Sequence, residues 1–209
     1  MDKRSDTKIT IKCHLTLFVA NIVSVLAYCA QQYVAKLSAP MSPPIKISKR
    51  KLLLPSAASL AGSALGIVSM GFIASHFSFP LLLAPFGASA VLLFSIYDSP
   101  LAQPRSAVFG HALSALIGSA IALTHITYFW NAGYIPMALS VAVSIFVMQM
   151  LRITHPPAGA TAFIASAAVT TIPSFISFTT AVAVGSLVLV MIAIAFNNVV
   201  PGRKYPIYW

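Results

Sequence analysis

From Leu52 onward the chain is apolar and nearly free of charge. Three uncharged runs, Leu52–Tyr97, Ser106–Leu151 and Ile153–Gly202, span 46, 46 and 50 residues. A membrane crossing takes about 20 apolar residues, so each run has room for two. Pro, Gly and polar breaks divide the runs into six segments. They are about Leu52–Phe77, Phe79–Tyr97 with an interruption at Pro85, Pro104–Thr124, Gly133–Leu151, a shorter Pro156–Thr170, and Ser174–Val199 stopped by Pro201-Gly202. No alternating stretches of about 10 residues suggest a transmembrane barrel. The pattern predicts an all-α polytopic membrane protein, a bundle of about six hydrophobic segments in two pseudo-repeats, two of them short or broken at Pro/Gly.

The repeat is explicit in the residues. Pro85-Phe86-Gly87-Ala88-Ser89-Ala90 returns, 72 positions later, as Pro157-Ala158-Gly159-Ala160-Thr161-Ala162. Short, interrupted segments at matching places in two halves point to a transporter's substrate site. If all six segments cross, each half has three and the halves run in opposite senses. The alternative is that segments two and five dip in and return, leaving four spans and parallel halves.

Composition adds to this picture. The chain is 58% hydrophobic and 8% charged, with mean hydropathy +0.89. Its net charge of +10 is concentrated ahead of Leu52, where nine of its thirteen Lys/Arg lie. A basic flank on an apolar chain reads as an orientation signal rather than as a nucleic-acid surface. Residues 1–51 form a separate basic region. Its Leu15–Ala30 stretch is either an interfacial helix or a short extra span, and a Pro- and Lys-containing linker comes after it. The transmembrane domain is 52–200 and the tail 201–209. If all six segments cross, Asp98, Arg105, Arg152, Arg203 and Lys204 all fall in or beside connections on the linker's side. The positive-inside rule makes that side, with the C-terminus, cytoplasmic. Tyr128, Trp130 and Tyr134 are expected at one membrane interface, and Tyr205, Tyr208 and Trp209 at the other. Gly62 and Gly66, and Gly110, Ser114 and Gly118, form small-residue stripes that let helices approach closely.

The candidate site lies at the two repeated breaks. Pro85, Gly87, Ala88 and Ser89 in the first half correspond to Pro157, Gly159, Ala160 and Thr161 in the second. The second copy is preceded by His155 and Pro156. Free amides at two helix starts would suit a small anion, each end contributing up to about 2 kcal/mol. Ser89 and Thr161 would add hydroxyls. Arg105, Arg152 and His155 would supply positive potential at the mouth. His111 lies within the third segment and reads equally as a coupling group or as a histidine bonded to a neighbour. Asp98 is the sole acid after Asp6, which excludes a paired-carboxylate enzyme and disfavours a cation path. No P-loop, nucleophile elbow or metal-ligand spacing occurs. Neither enzyme activity, nor a cofactor, nor a metal is expected. The expected partners are the lipid bilayer and a small anion, with a homo-oligomer left open, in a bacterial plasma (inner) membrane.

Thr154-His155-Pro156-Pro157-Ala158-Gly159-Ala160-Thr161-Ala162 resembles the signature of the HPP family of integral membrane proteins. Ala84–Leu92 and Ser99–Arg105, the latter followed by Gly110-His111, resemble two further blocks of it. Together the three blocks cover about Leu52–Phe196. The resemblance implies four spans and, through chloroplast and cyanobacterial members, transport of nitrite or a similar small anion. Two other readings stand beside it: a non-transporting scaffold or subunit, and a transporter of another solute such as sulfate.

Overall fold

The computed structural model describes residues 24, 27, 28, 31, 49–77, 84–128 and 134–208. The chain divides into two compact units, Met1–Ile47 and Ser48–Trp209. The expected Leu15–Ala30 helix, Cys13 and Cys29 lie essentially outside the described residues. The second unit holds all six apolar segments.

Its described residues form six helices: α1 Lys49–Phe77, α2 Ala84–Ser95, α3 Pro104–Tyr128, α4 Tyr134–Met150, α5 Pro156–Ala168 and α6 Ile172–Val199. A 3-10 turn, Pro100–Ala102, precedes α3. No strand occurs among the described residues. The helices start where local chemistry favours it. Pro100 follows the Ser99 cap, and Pro104 opens α3. Thr171 and Ser174 form a reciprocal capping box at α6, each satisfying an amide the helix leaves unbonded. α2 begins at Ala84-Pro85, where the sequence places a break in the second segment. Pro85 sits in the first turn, where the missing N–H costs nothing.

Long-range bonds gather six chain positions at one end of the bundle. Arg203, just past α6, donates to Pro55 O near the start of α1 and to Phe94 O near the end of α2. Tyr205 Oη donates to Ala102 O, just before α3. Arg105, in the first turn of α3, donates to Leu151 O after α4. His155, which caps α5, bonds to Leu101 O. The helices therefore leave and return alternately, and α1–α3 run opposite to α4–α6. All five charged residues from Asp98 onward lie at this end, four in connections or the tail and Arg105 in the first turn of α3, as the charge pattern predicts.

The helix contacts respect the repeat. α1 packs on α2 as α4 does on α5; α1 packs on α6 as α4 does on α3; α2 packs on α6 as α5 does on α3. The pairs α2–α5 and α3–α6 map onto themselves. Among the described residues three helices are long and apolar enough to cross a membrane unaided: α1, α3 and α6. At a rise of about 1.5 Å per residue, α2 and α5 reach only about 18–20 Å, short of a hydrocarbon core of about 30 Å.

Leu53, Leu60, Val68, Phe72, Phe109, Phe146, Ile176 and Met191 face outward, as lipid-facing positions do. Inside, Met70, Phe86, Leu93, Phe94, Val182 and Leu189 form the main core. The small-residue stripe of α3 lets α5 come close. A Cβ on Gly118 would strike the Ala162 carbonyl oxygen, and one on Gly110 would lie 2.8 Å from His155 Cβ. Tyr205 departs from expectation. It is buried in the core rather than placed at an interface, because Ala102 O offers its hydroxyl a bond of 2.7 Å. Burial pushes its phenol above the ordinary value, so it stays a donor. Tyr208 is exposed; Trp130 and Trp209 lie outside the described residues.

Candidate functional site

The halves meet around one imidazole. α4 ends in a Schellman turn, with Ile153 N–H bonded to Met148 O and Arg152 N–H to Gln149 O. Arg152 holds the left-handed position of that turn, φ 56°. The chain then extends through His155 (φ −133°, ψ 102°) and enters α5 at Pro156-Pro157. Prolines force their predecessors out of helical geometry, so His155 caps α5 without helical dihedrals. Its side chain makes no capping bond; its ring turns into the bundle, fully buried. Gly110 makes the space for it.

His155 Nδ1 lies 2.8 Å from Leu101 O. Its Nε2 lies 2.9 Å from Ser89 Oγ. Ser89 Oγ lies 2.7 Å from His111 Nε2, and His111 Nδ1 lies 2.8 Å from Thr161 Oγ1. Ser89, His111, His155 and Thr161 are all essentially excluded from solvent. The two rings sit 4.9 Å apart, edge to face, and Phe86 closes over His111 at 5.0 Å.

For neutral rings these contacts admit one proton arrangement. A carbonyl only accepts, so His155 Nδ1 carries hydrogen and donates to Leu101 O. Its Nε2 then accepts, and the Ser89 hydroxyl donates to it. That uses the one hydroxyl hydrogen of Ser89 and leaves its 3.1 Å contact with Pro85 O secondary. Ser89 Oγ accepts in turn from His111 Nε2–H. His111 Nδ1 is left as acceptor for the Thr161 hydroxyl. Donation runs one way, from Thr161 through His111, Ser89 and His155 to Leu101 O. Ser89 and Thr161, equivalent in the repeat, occupy the two nitrogens of His111.

Not every predicted residue faces this point. Pro85, Ser89, His155, Pro157 and Thr161 are buried, as is His111; Gly87, Ala88, Pro156 and Ala160 are exposed and Gly159 is half-buried. A Cβ on Gly87 would meet nothing within 4 Å, and one on Gly159 only Val141 at 4.0 Å. Neither glycine is placed there by a close approach of a neighbouring helix. Nor does α5 present an amide cradle. Pro156 and Pro157 have no N–H, and that of Ala158 is bonded to His155 O. The space between the breaks is filled by the imidazoles themselves. Arg105 and Arg152 are exposed at the charged end. Arg105 lines a mainly apolar cleft of about 360 Å³ with Phe109, Leu113, Leu151 and Ile153.

Sequence reasoning missed Leu101 O and Phe86. Phe86 stands within the repeated block, where an aromatic replaces Ala158 of the second copy. Leu101 contributes a backbone atom, signalled only by the Ser99-Pro100 start of a 3-10 turn. Among the described residues no group of three or more His, Cys, Asp or Glu could hold a metal ion.

Residues 48–206 match the family model described as the HPP transmembrane region. Two transmembrane proteins of Dictyostelium discoideum are similar. One is 39% identical over 131 residues, covering 62% of this chain and 45% of that protein. The other is 41% identical over 129 residues, covering 61% of this chain and 41% of that protein. The chain thus matches less than half the length of either relative. No solved structure matches.

Proposed function

The chain belongs to the HPP transmembrane family, and from that premise we propose that it carries a small inorganic anion, nitrite first, across a membrane. The observation that carries this reading is the meeting of Ser89 and Thr161 on His111, where two short helices from oppositely running halves touch. Oppositely running halves around a central polar site suit alternating access. Anion selectivity is supported by charge. Asp98 is the sole acid after Asp6, while Arg105 and Arg152 stand exposed at the end from which His155 is reached. Nitrite itself comes from the family resemblance.

The chemistry differs from an amide cradle. A small oxyanion would take hydrogen bonds from the Ser89 and Thr161 hydroxyls and from an imidazole N–H. Those donors are now spent on each other, so entry requires α2 and α5 to part. The proposed orientation puts the charged end in the cytoplasm. A monovalent anion entering a cell against an inside-negative potential loses about 2.3 kcal/mol per 100 mV, so uptake needs a coupled proton or a downhill gradient.

Complete internal bonding at the histidines also supports a second reading, a non-transporting scaffold or subunit. Nitrite uptake by the purified chain in proteoliposomes separates the two. The transport reading expects uptake above empty vesicles; none above that background would overturn it.

A further inference from the structure

We propose that His111, Ser89 and His155 form a binding and transfer site for a single proton at the junction of the two halves. This rests on the transport reading for its purpose, though not for its chemistry. In the neutral state each ring has one N–H and one accepting nitrogen, and every one is bonded. Adding a proton keeps every one of these contacts and reverses one: the Thr161 hydroxyl turns its own hydrogen away from His111 Nδ1 and accepts instead. A proton delivered at His111 Nδ1 makes that ring an imidazolium, and Nδ1–H now donates to Thr161 Oγ1. His111 passes its Nε2 hydrogen to Ser89 Oγ as Ser89 passes its own to His155 Nε2. His155 becomes the imidazolium, still donating to Leu101 O and now also to Ser89 Oγ. His111 is left neutral in the other tautomer, accepting from Ser89. One N–H and one O–H bond break, one O–H and one N–H form, and the charge moves from α3 to the cap of α5.

A second proton would put two charged rings 4.9 Å apart in a buried setting, where like charges repel strongly. The capacity is therefore one. The surroundings leave the choice to these rings. α2, α4, α5 and α6 bring no charged side chain to the bundle. α3 begins with Arg105, six positions before His111; α1 carries Lys49, Arg50 and Lys51 at its start and His76 in its last turn. Arg152 precedes His155 by three residues, and Asp98 lies past the end of α2. Phe86 shields His111 on one side. A shared proton there neutralises an anion entering the same junction, which is what uptake against the membrane potential requires.

Two measurements test this. In proteoliposomes loaded with a pH dye, nitrite entry should carry protons inward and an acid exterior should drive nitrite accumulation. Ser89→Ala should lower that accumulation by about tenfold or more, and Ser89→Thr, which keeps the hydroxyl, should restore it. Nitrite entry without proton movement beyond empty vesicles, or undiminished accumulation by Ser89→Ala, overturns the proposal and leaves transport standing. If nitrite does not enter at all, the transport reading falls. The proton site is then decided by ¹⁵N-histidine spectra of the wild-type chain in nanodiscs, which also cover a variant that fails to assemble. His111 and His155, assigned through His111→Gln and His155→Gln, should titrate together, with one proton between them. Two independent titrations, or none before unfolding, refute the site.

Discussion

Two glycines on neighbouring segments do opposite work. Gly110 is the floor on which His155 rests, and a methyl there would fall 2.8 Å from His155 Cβ and 3.3 Å from Ile153 O. Backbone oxygen and a ring locked by two bonds do not yield cheaply, and overpacking of this kind costs about 1–3 kcal/mol. Gly87 faces open space, so alanine there removes only a helix-weakening residue, a gain of up to about 1 kcal/mol. Gly110→Ala should lower the unfolding midpoint in detergent and Gly87→Ala should hold or raise it. The repeat made Ser89 and Thr161 legible in the sequence, because the same order of residue types recurs after 72 positions. It did not tell that Gly87 is exposed and Gly159 half-buried, because residue type does not say which face of a short helix a position occupies. His111 stayed ambiguous for a related reason. A lone histidine in an apolar segment says nothing about its partners until distant helices are assembled.

The 3-10 turn joins the tail to the proton site. Its Leu101 carbonyl holds His155, and its neighbour Ala102 holds Tyr205. Gln103, nearly fully buried, uses its whole amide. Nε2 donates to Tyr97 O and Ser99 O, while Oε1 accepts from Ile207 N and Tyr208 N. Gln103→Glu keeps the shape but loses both donors and sets a carboxylate against two carbonyls. Such a buried mismatch costs about 1–3 kcal/mol or more. The variant should release the tail, so that trypsin cleaves after Lys204 faster than in the wild type, read by mass spectrometry. The sign with pH follows from the introduced acid. Protonation returns one donor, so cleavage should slow again as pH falls through that carboxyl's titration. Arg203 works beside it, donating to Phe94 O, Asn197 Oδ1 and Pro55 O and covering the Tyr97 ring at 4.8 Å. Arg203→Ala leaves three carbonyl oxygens without this partner and should lower the unfolding midpoint. Residues 201–209 read only as a cytoplasmic tail because Gln103, Arg203 and Tyr205 are ordinary types. Their pairing spans about a hundred positions and has no local pattern to reveal it.

At the scale of the molecule, one-sided charge and alternating helix direction make the same demand. Arg203 ties the end of α6 to the start of α1 and the end of α2, and Arg105 ties the start of α3 to the end of α4. The charged connections therefore share a face, and the connection at Thr171, between α5 and α6, lies on the other. Dragging one arginine to the bilayer centre costs about 2.5–3.5 kcal/mol on the insertion scale, so a bundle with Arg105, Arg152 and Arg203 at one end resists inversion of any single helix. This holds even though α2 and α5 are too short to span unaided, because they pack against the long α6 and α3. The arrangement is open to direct measurement. With Cys13 and Cys29 replaced by serine, single cysteines at Asp98, Arg152 and Lys204 should react with a membrane-impermeant maleimide from one side of sealed vesicles. A cysteine at Thr171 should react from the other. If Asp98 and Lys204 label from opposite faces, the halves are not inverted, and the meeting of Ser89 and Thr161 on His111 loses its pseudo-two-fold meaning. If both label from the cytoplasmic face, the basic flank has set the orientation, and the Leu101–His155 end of the proton site faces the cell interior.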